Sequence, residues 1–379
     1  MLSVALAVGL PAIGVLEGSA SGASVRAGET VYVASSDNHI WQYSVGAGGV
    51  LGSHGSTAVK GFGTPYSIAA SPNGRYLYVS DDAGTAAGSV SQFTIGANGA
   101  LTADRTPTVA VGSAPPGTAP DALTVSRDGK YVYVVGESAA VVYQFTIGSG
   151  GMLKLDVGHT IKTGLAPNAI ATSPNGRYVY VADEFGAAGG EVSQYTVGAG
   201  GVLSADRTAA VGAGAQPDGI TVSPNGKYVY VTNYAGSAGV SQYTVGRGGM
   251  LSPDRKPTVR AGGAPHGVAV SPNGKFLYVA TERGAGTSST SGAVSQYVIG
   301  SGGMLTPDRT PAVGAGSGPF GIVVSPDGRY VYVANGSSPG SDGVSRFTIG
   351  GGGMLTADPT PGVATGARPV AITVVAGNS

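Results

Sequence analysis

The chain has no cysteine, which removes disulfides, thiolate nucleophiles and cysteine-ligated zinc from consideration. Charge is scarce: 11% of the 379 residues are charged, and 21 Lys+Arg balance 21 Asp+Glu. No basic excess is available to neutralise phosphates, so nucleic acid is not an expected partner. Long apolar runs are absent beyond the first residues, and no segment is long enough for a membrane span. No phosphate-cradling P-loop and no HExxH occurs, and no cofactor or resident metal is expected. Gly336-Ser337-Ser338-Pro339-Gly340 fits G-x-S-x-G but lacks the following helix that a nucleophile elbow requires. Asn335-Gly336-Ser337 fits a glycosylation sequon, relevant only to a secreted protein in a glycosylating host.

What is present is glycine, 67 residues, and strongly patterned apolar sequence at 42% of the chain. One unit, Gly219–Leu251, sets the pattern: "ITVS", the turn Ser-Pro-Asn-Gly, "KYVYVT", a looser loop, "VSQYTV", and the turn Gly246–Gly249. Asn-Gly and Gly-Gly supply the positive φ angles of tight hairpins, and Tyr, Val and Thr suit a pleated buried surface. The Gly-turn recurs from Gly46, Gly96, Gly148, Gly198, Gly246, Gly300 and Gly350, at spacings of 48–54 residues. A period near 50 made of short strands predicts an all-β, seven-bladed β-propeller with four antiparallel strands per blade, a to d from the channel outward. The Ser-x-Asn/Asp-Gly turn appears six times, the chain ends in a first strand without a second, and Glu29-TVYVA is a second strand without a first. The C-terminal strand is therefore expected to pair with the N-terminal strands and close the ring. Gln42, Gln92, Gln144, Gln194, Gln242 and Gln296 share one position, taken by Arg346 in the seventh copy, and read as ties between blades. Trp41 and Tyr143 stand where the other copies have Ser.

The propeller is assigned to residues 29–376 and residues 1–28 to a signal peptide or disordered leader. Leu2–Leu16 resembles a secretory h-region without the usual basic start, and Ser21-Gly22-Ala23 offers a cleavage site. The expected location is secreted or cell-surface, or cytoplasmic if the leader is not a signal, and the expected state is a monomer.

Strand alternation puts the uniform turns on one face and every variable connection on the other, so the variable face is expected to carry function. Two sets remain once the repeats are subtracted. Tyr66, Asp121, Asn168, Asp218, His266, Phe320 and Val370 follow the proline that opens each inner strand and should ring the channel mouth. Asp81, Asp82, Glu137, Asp183, Glu184, Asn233, Glu282 and Arg283 end the second strands and should form the next circle. His266 suits a general base, with a wall histidine as the bland reading. Glu184 and Glu282 suit acid–base work, against solvated loop carboxylates. Arg283 and Arg368 suit an anionic group, against surface charge. Asp121, Asn168 and Asp218 offer oxygens for Ca²⁺, without ligand spacing to support it.

"KYVYVTN" at Lys227–Asn233, the SPNG turns and the VSQYTVGxGGML continuation resemble the YVTN-type repeat. Over Glu29–Ala376 the chain is similar to the seven-bladed lactonase family, which includes propeller-type 6-phosphogluconolactonases and carboxymuconate-lactonizing enzymes. The resemblance implies lactone chemistry by His266, Glu184 and Arg283, with Tyr66, Asp121, Asn168, Asp218, Glu282, Phe320 and Arg368 binding a small lactone or carbohydrate-like ligand. Positions where this family often has further histidines hold Asp, Asn, Tyr or Phe here, and the mouth is poor in basic residues for a phosphorylated sugar. The alternative is a secreted, non-catalytic propeller that binds a glycan, protein or cell-wall ligand through the same face.

Overall fold

The structure, a computed structural model, describes residues 28–377 except 62, 84–87, 113–118, 187–188, 237–238, 284–291, 337–342 and 359–361. The expected leader, the serine of the G-x-S-x-G match and the third residue of the sequon lie outside the described residues. Among those described, the strands form seven antiparallel sheets. Blade 1 joins residues 369–375 to 30–58, and blades 2 to 7 span 64–110, 120–162, 165–212, 217–259, 263–314 and 319–357. Closure is as the two unmatched ends require: Pro369–Val375 pairs antiparallel with Thr30–Ser35, matching Ile372 to Val33.

The repeated residues bind blade to blade. The middle tyrosine of each strand b donates its hydroxyl to the Gly-turn carbonyl of the next blade: Tyr32 to Gly99 at 2.7 Å, Tyr180 to Gly249 at 2.7 Å, and Tyr332 back to Gly49 at 3.0 Å. The last glycine of the turn is left-handed and, except at Gly99, which meets Thr30, lies under an aromatic ring of the preceding blade: Gly249 has φ 88°, and a Cβ there would fall 2.3 Å from the Tyr178 ring. Each of the six glutamines accepts from the next blade's Leu N–H, as Gln42 does from Leu101 at 3.0 Å and Gln242 from Leu305 at 2.6 Å. Arg346 has no acceptor to offer and pairs instead with Asp358 of its own blade. Buried backbone groups at the blade junctions are thereby satisfied.

Two outer strands depart from the four-strand pattern. In blade 3 strand d breaks into Leu153–Leu155 and Ile161–Lys162, because Asp156 and His159 close a local turn, Nδ1 to Oδ2 at 2.7 Å. In blade 7 it shortens to Leu355–Ala357. Recurrent Asp residues tie strand d to strand c: Asp104, Asp206 and Asp254 accept from Thr94, Thr196 and Thr244 at 2.7–2.8 Å.

Candidate active site at the channel mouth

Proline makes the inner ring. In every blade the register of strands a and b shifts beside the proline that opens strand a. Proline has no N–H for the ladder, and a bulge leaves the following residue unpaired and re-aims its side chain. The residue before the proline is left-handed in several blades, with φ of 50°, 53°, 51° and 39° at Ala166, Gln216, Ala264 and Arg368. Tyr66, Asp121, Asn168, Asp218, His266, Phe320 and Val370 are the residues so displaced. The preceding blade pins the bulge by its carbonyl: Ser80 Oγ donates to Asp121 O at 2.8 Å, and Thr232 Oγ1 donates to His266 O.

His266 is the centre of the mouth. It is 4% exposed, its Nδ1 is hydrogen-bonded to Asp218 Oδ2 of blade 5, and its Nε2 lies 3.2 Å from Glu282 Oε1 of its own blade. The Phe320 ring packs on it at 4.3 Å between centroids and the Tyr234 ring at 5.1 Å. Burial is the largest single influence and disfavours the cation. The charge of Asp218 and the hydrogen bonds to Asp218 and Glu282 together outweigh it and lift the imidazole pKa to about 9. His266 is therefore an imidazolium at neutral pH, with a proton to give. Glu282 is half-buried and held below its usual range, first by the His266 hydrogen bond. Arg283, exposed and lying along Gly263, adds to that lowering.

Three members of the expected second circle face away from the mouth. Asp81, Asp183 and Asn233 turn into their blades and meet the strand-c serine: Ser91 Oγ donates to Asp81 at 2.6 Å, Ser193 to Asp183 at 2.6 Å, and Asn233 Nδ2 donates to Ser241 at 3.0 Å. Successive side chains of a strand alternate, so the next residues, Asp82, Glu137, Glu184, Tyr234 and Glu282, belong to the mouth. Where strand c carries a large ring instead of serine, strand b has made room. Trp41 Nε1 donates to Ser35 Oγ at 3.1 Å, and a Cβ on Gly136 would sit 2.7 Å from Tyr143.

The expected residues divide into two groups. Asp218, His266, Glu282 and Phe320 come together, with Arg283 acting on Glu282 through charge. Glu184 does not join them: among the described residues no hydrogen bond or ion pair links it to His266, and its Oε1 accepts from Gln216. Across the channel, burial raises the Asp121 pKa well above normal, reinforced by Glu137, Asp82 and Asp218. Tyr66 is pushed up to about 12, by burial and then by Asp121, Asp82 and Glu137. Asn168 Nδ2 donates to Pro217 O at 3.0 Å, and Arg368 Nε to Gly336 O at 3.1 Å. Asp218 is committed to His266 rather than to a shared cation, and among the described residues no three His, Asp or Glu side chains cluster as metal ligands. Tyr234, the residue after the strand Tyr228–Asn233, and Gln216, before the proline of blade 5, complete the group.

A lactonase family model described as a seven-bladed β-propeller matches residues 87–237 and 230–365, more than half of the chain. The chain belongs to the lactonase propeller family. No curated protein sequence matches this lactonase propeller. Among solved structures it is similar to a Bacteroides fragilis protein provisionally named a 6-phosphogluconolactonase, at 18% identity and TM-score 0.73, covering 94% of this chain and 100% of that one. A Bacteroides uniformis protein of the same provisional name gives 18% identity and TM-score 0.75, with coverage of 92% and 99%. The Pseudomonas aeruginosa periplasmic gluconolactonase gives 17% identity and TM-score 0.71, covering 92% and 99%. At such identities the shared property is the fold.

Proposed function

We propose that the protein is a hydrolase that opens a lactone ring at this mouth. The observation that carries the reading is the chain Asp218–His266–Glu282, an imidazolium held between two carboxylates at the centre of a lactonase-family propeller. In the mechanism it supports, Glu282 takes a proton from water as the water oxygen bonds to the lactone carbonyl carbon. Arg283 and the imidazolium stabilise the oxyanion. The tetrahedral intermediate collapses, the ring C–O bond breaks, and His266 Nε2 protonates the departing alkoxide. The proton on Glu282 then returns to His266, and Asp218 holds Nδ1 throughout. This reading gives the base role to Glu282 rather than to His266 or Glu184, because a histidine with pKa about 9 is already protonated at neutral pH.

The test is a panel of lactones with the wild type, His266→Gln and Glu282→Gln. The expected result is turnover that each variant lowers by about 10²-fold or more. Absence of turnover on every lactone overturns the reading. It would favour instead a binding module for a glycan, protein or cell-wall component, which is supported by the fact that both imidazole nitrogens already have partners. No helix of the described residues is long and apolar enough to cross a membrane. We propose export on the sequence of Leu2–Leu16 and the small residues after it. Finding an intact Met1 in the mature protein excludes it.

A further inference from the structure

The junction between blades 1 and 2 breaks the repeat. At the other six junctions the first residue of strand b is Tyr or Phe, and its ring lies against the last glycine of the next blade's Gly-turn, as Tyr76 does at Gly151 and Phe276 at Gly353. In blades 2 and 4 the preceding arginine lies over that ring, with Arg75 and Arg177 Cζ 6.0 Å from the centroids of Tyr76 and Tyr178. Blade 1 has Thr30 at the ring position, and Glu29 where the six others have Lys or Arg. Thr30 meets Gly99 through its γ atoms and has nothing beyond them.

The departures continue around the same corner. Strand c of blade 1 has Ser44 where the other copies have Thr or Val, and strand d has His54 where all six others have Asp. The bond made at those positions in blade 2, Thr94 to Asp104 at 2.8 Å, is therefore replaced: Ser44 Oγ donates to Gly52 O at 3.3 Å, and His54 is exposed. From blade 2 the Gly-turn brings Asn98 where the other six copies have Gly, and Ala100 where they have Val or Met. Glu29, Thr30, Ser44, His54, Asn98 and Ala100 all line one cavity of about 620 Å³. Ligand pockets run from about 300 to 1,000 Å³. A ring reduced to Thr and a Met or Val reduced to Ala open the space, and hydroxyls, an amide and an imidazole edge it. Packing alone would fill this seam as the other six are filled, since unfilled space forfeits contacts.

We propose that this corner binds a neutral aromatic molecule, on the face opposite the mouth. One ring takes the place that Tyr or Phe fills at the other junctions, against Thr30 and Ala100, and a hydroxyl or like group reaches Ser44, Asn98 or His54. No Lys or Arg lines the cavity, so an anionic group finds no counter-charge there. The site lies among the a–b and c–d turns, away from His266, and it stands whether or not the lactone chemistry does.

The experiment measures, by calorimetry on the full chain, binding of p-cresol, of its saturated counterpart 4-methylcyclohexanol and of the anion 4-methylbenzoate. The proteins are the wild type, Thr30→Tyr, Ala100→Met and His266→Gln. The expected result is that p-cresol binds the wild type and His266→Gln alike, and binds Thr30→Tyr at least about 10-fold more weakly, because a covalent ring occupies its place. Ala100→Met restores the commonest residue of the other copies and should weaken binding in the same direction; it decides the matter if Thr30→Tyr does not fold. The alcohol and the benzoate should bind the wild type more weakly than p-cresol. Absence of p-cresol binding, binding unchanged in the two filling variants, or an alcohol or benzoate that binds as tightly overturns the inference. So does loss of p-cresol binding in His266→Gln, which would put the ring at the mouth.

Discussion

An imidazole buried as deeply as His266 would be neutral without its partners, so its charge belongs to Asp218 and Glu282 as much as to itself. The sign of the pH dependence follows. A histidine raised from 6.5 to about 9 in the folded state stabilises the fold fully below pH 6.5, and that contribution is lost as pH rises through about 9. The difference amounts to about 3 kcal/mol at most. Denaturant midpoints between pH 6 and 10 should therefore fall in the wild type and stay flatter in His266→Gln; equal slopes would show that the imidazole is not held as a cation. Asp81 and Asp183 are raised from 3.8 to about 7, chiefly by burial, so their contribution is present below pH 3.8 and lost as pH rises through 7. The two windows are separable, and Asp81→Asn should flatten the lower one only. For turnover the same groups predict a plateau. Its acid limb lies where Glu282 protonates, below its ordinary value of 4.5, and its alkaline limb near pH 9 where His266 loses its proton. A rate that rises through pH 6–7 and keeps rising would return His266 to the role of base.

At the scale of the element, the turns carry the fold and the bulges carry the site. The two glycines of one Gly-turn make a direct comparison. Gly248 has φ 76° and open space where a Cβ would go, whereas Gly249 has φ 88° and the Tyr178 ring 2.3 Å away. Gly248→Ala should cost about 1 kcal/mol for the left-handed backbone. Gly249→Ala should cost about 2–4 kcal/mol, because overpacking against the neighbouring blade is added. Similar melting temperatures for the two variants would show that the ring packing contributes little. This contrast also explains what the sequence made legible. The turns, the tyrosines and the glutamines recur with one physical purpose, so the blade count, the strand order and the ties between blades could be read from spacing alone. His266 was legible because it departs from its siblings. Its bond to Asp218 was not, since it crosses blades and exists only because a proline bulge turns both residues inward. Asp81, Asp183 and Asn233 were counted in the second circle because strand parity at the end of strand b was not weighed against strand c. The signal was available: strand b ends in Asp or Asn two residues past the partner of the strand-c serine in blades 2, 4, 5 and 7, but in Ser35 or Gly136 where strand c has Trp41 or Tyr143.

For the whole molecule the decisive contact is the one that closes the ring. Blade 1 takes its inner strand from the far end of the chain, so Pro369–Val375 is at once the last strand made and the first strand of the sheet. Without it, Thr30–Ser35 would present an unpaired edge of TVYVAS, apolar and β-branched, the kind of edge that recruits another chain. Packing would suffer on both sides of the seam, since Val370, Ala371 and Val375 are buried with Tyr32, Ile68 and Leu77, and Ile372 with Val323 and Tyr332. Arg368 would also lose its place against Gly336, beside Phe320 and the His266 ring. A chain ending at Ala367 should therefore melt well below the full chain and should associate through the exposed edge, seen as concentration-dependent mass in light scattering. Adding a peptide that spans 368–377 should restore the mass and the melting temperature of the full chain together, because the missing strand carries its own backbone donors and acceptors. If the truncated chain melts like the full one and has the same association state, the seam is not what holds the propeller shut, and the cross-blade tyrosines and glutamines suffice without it.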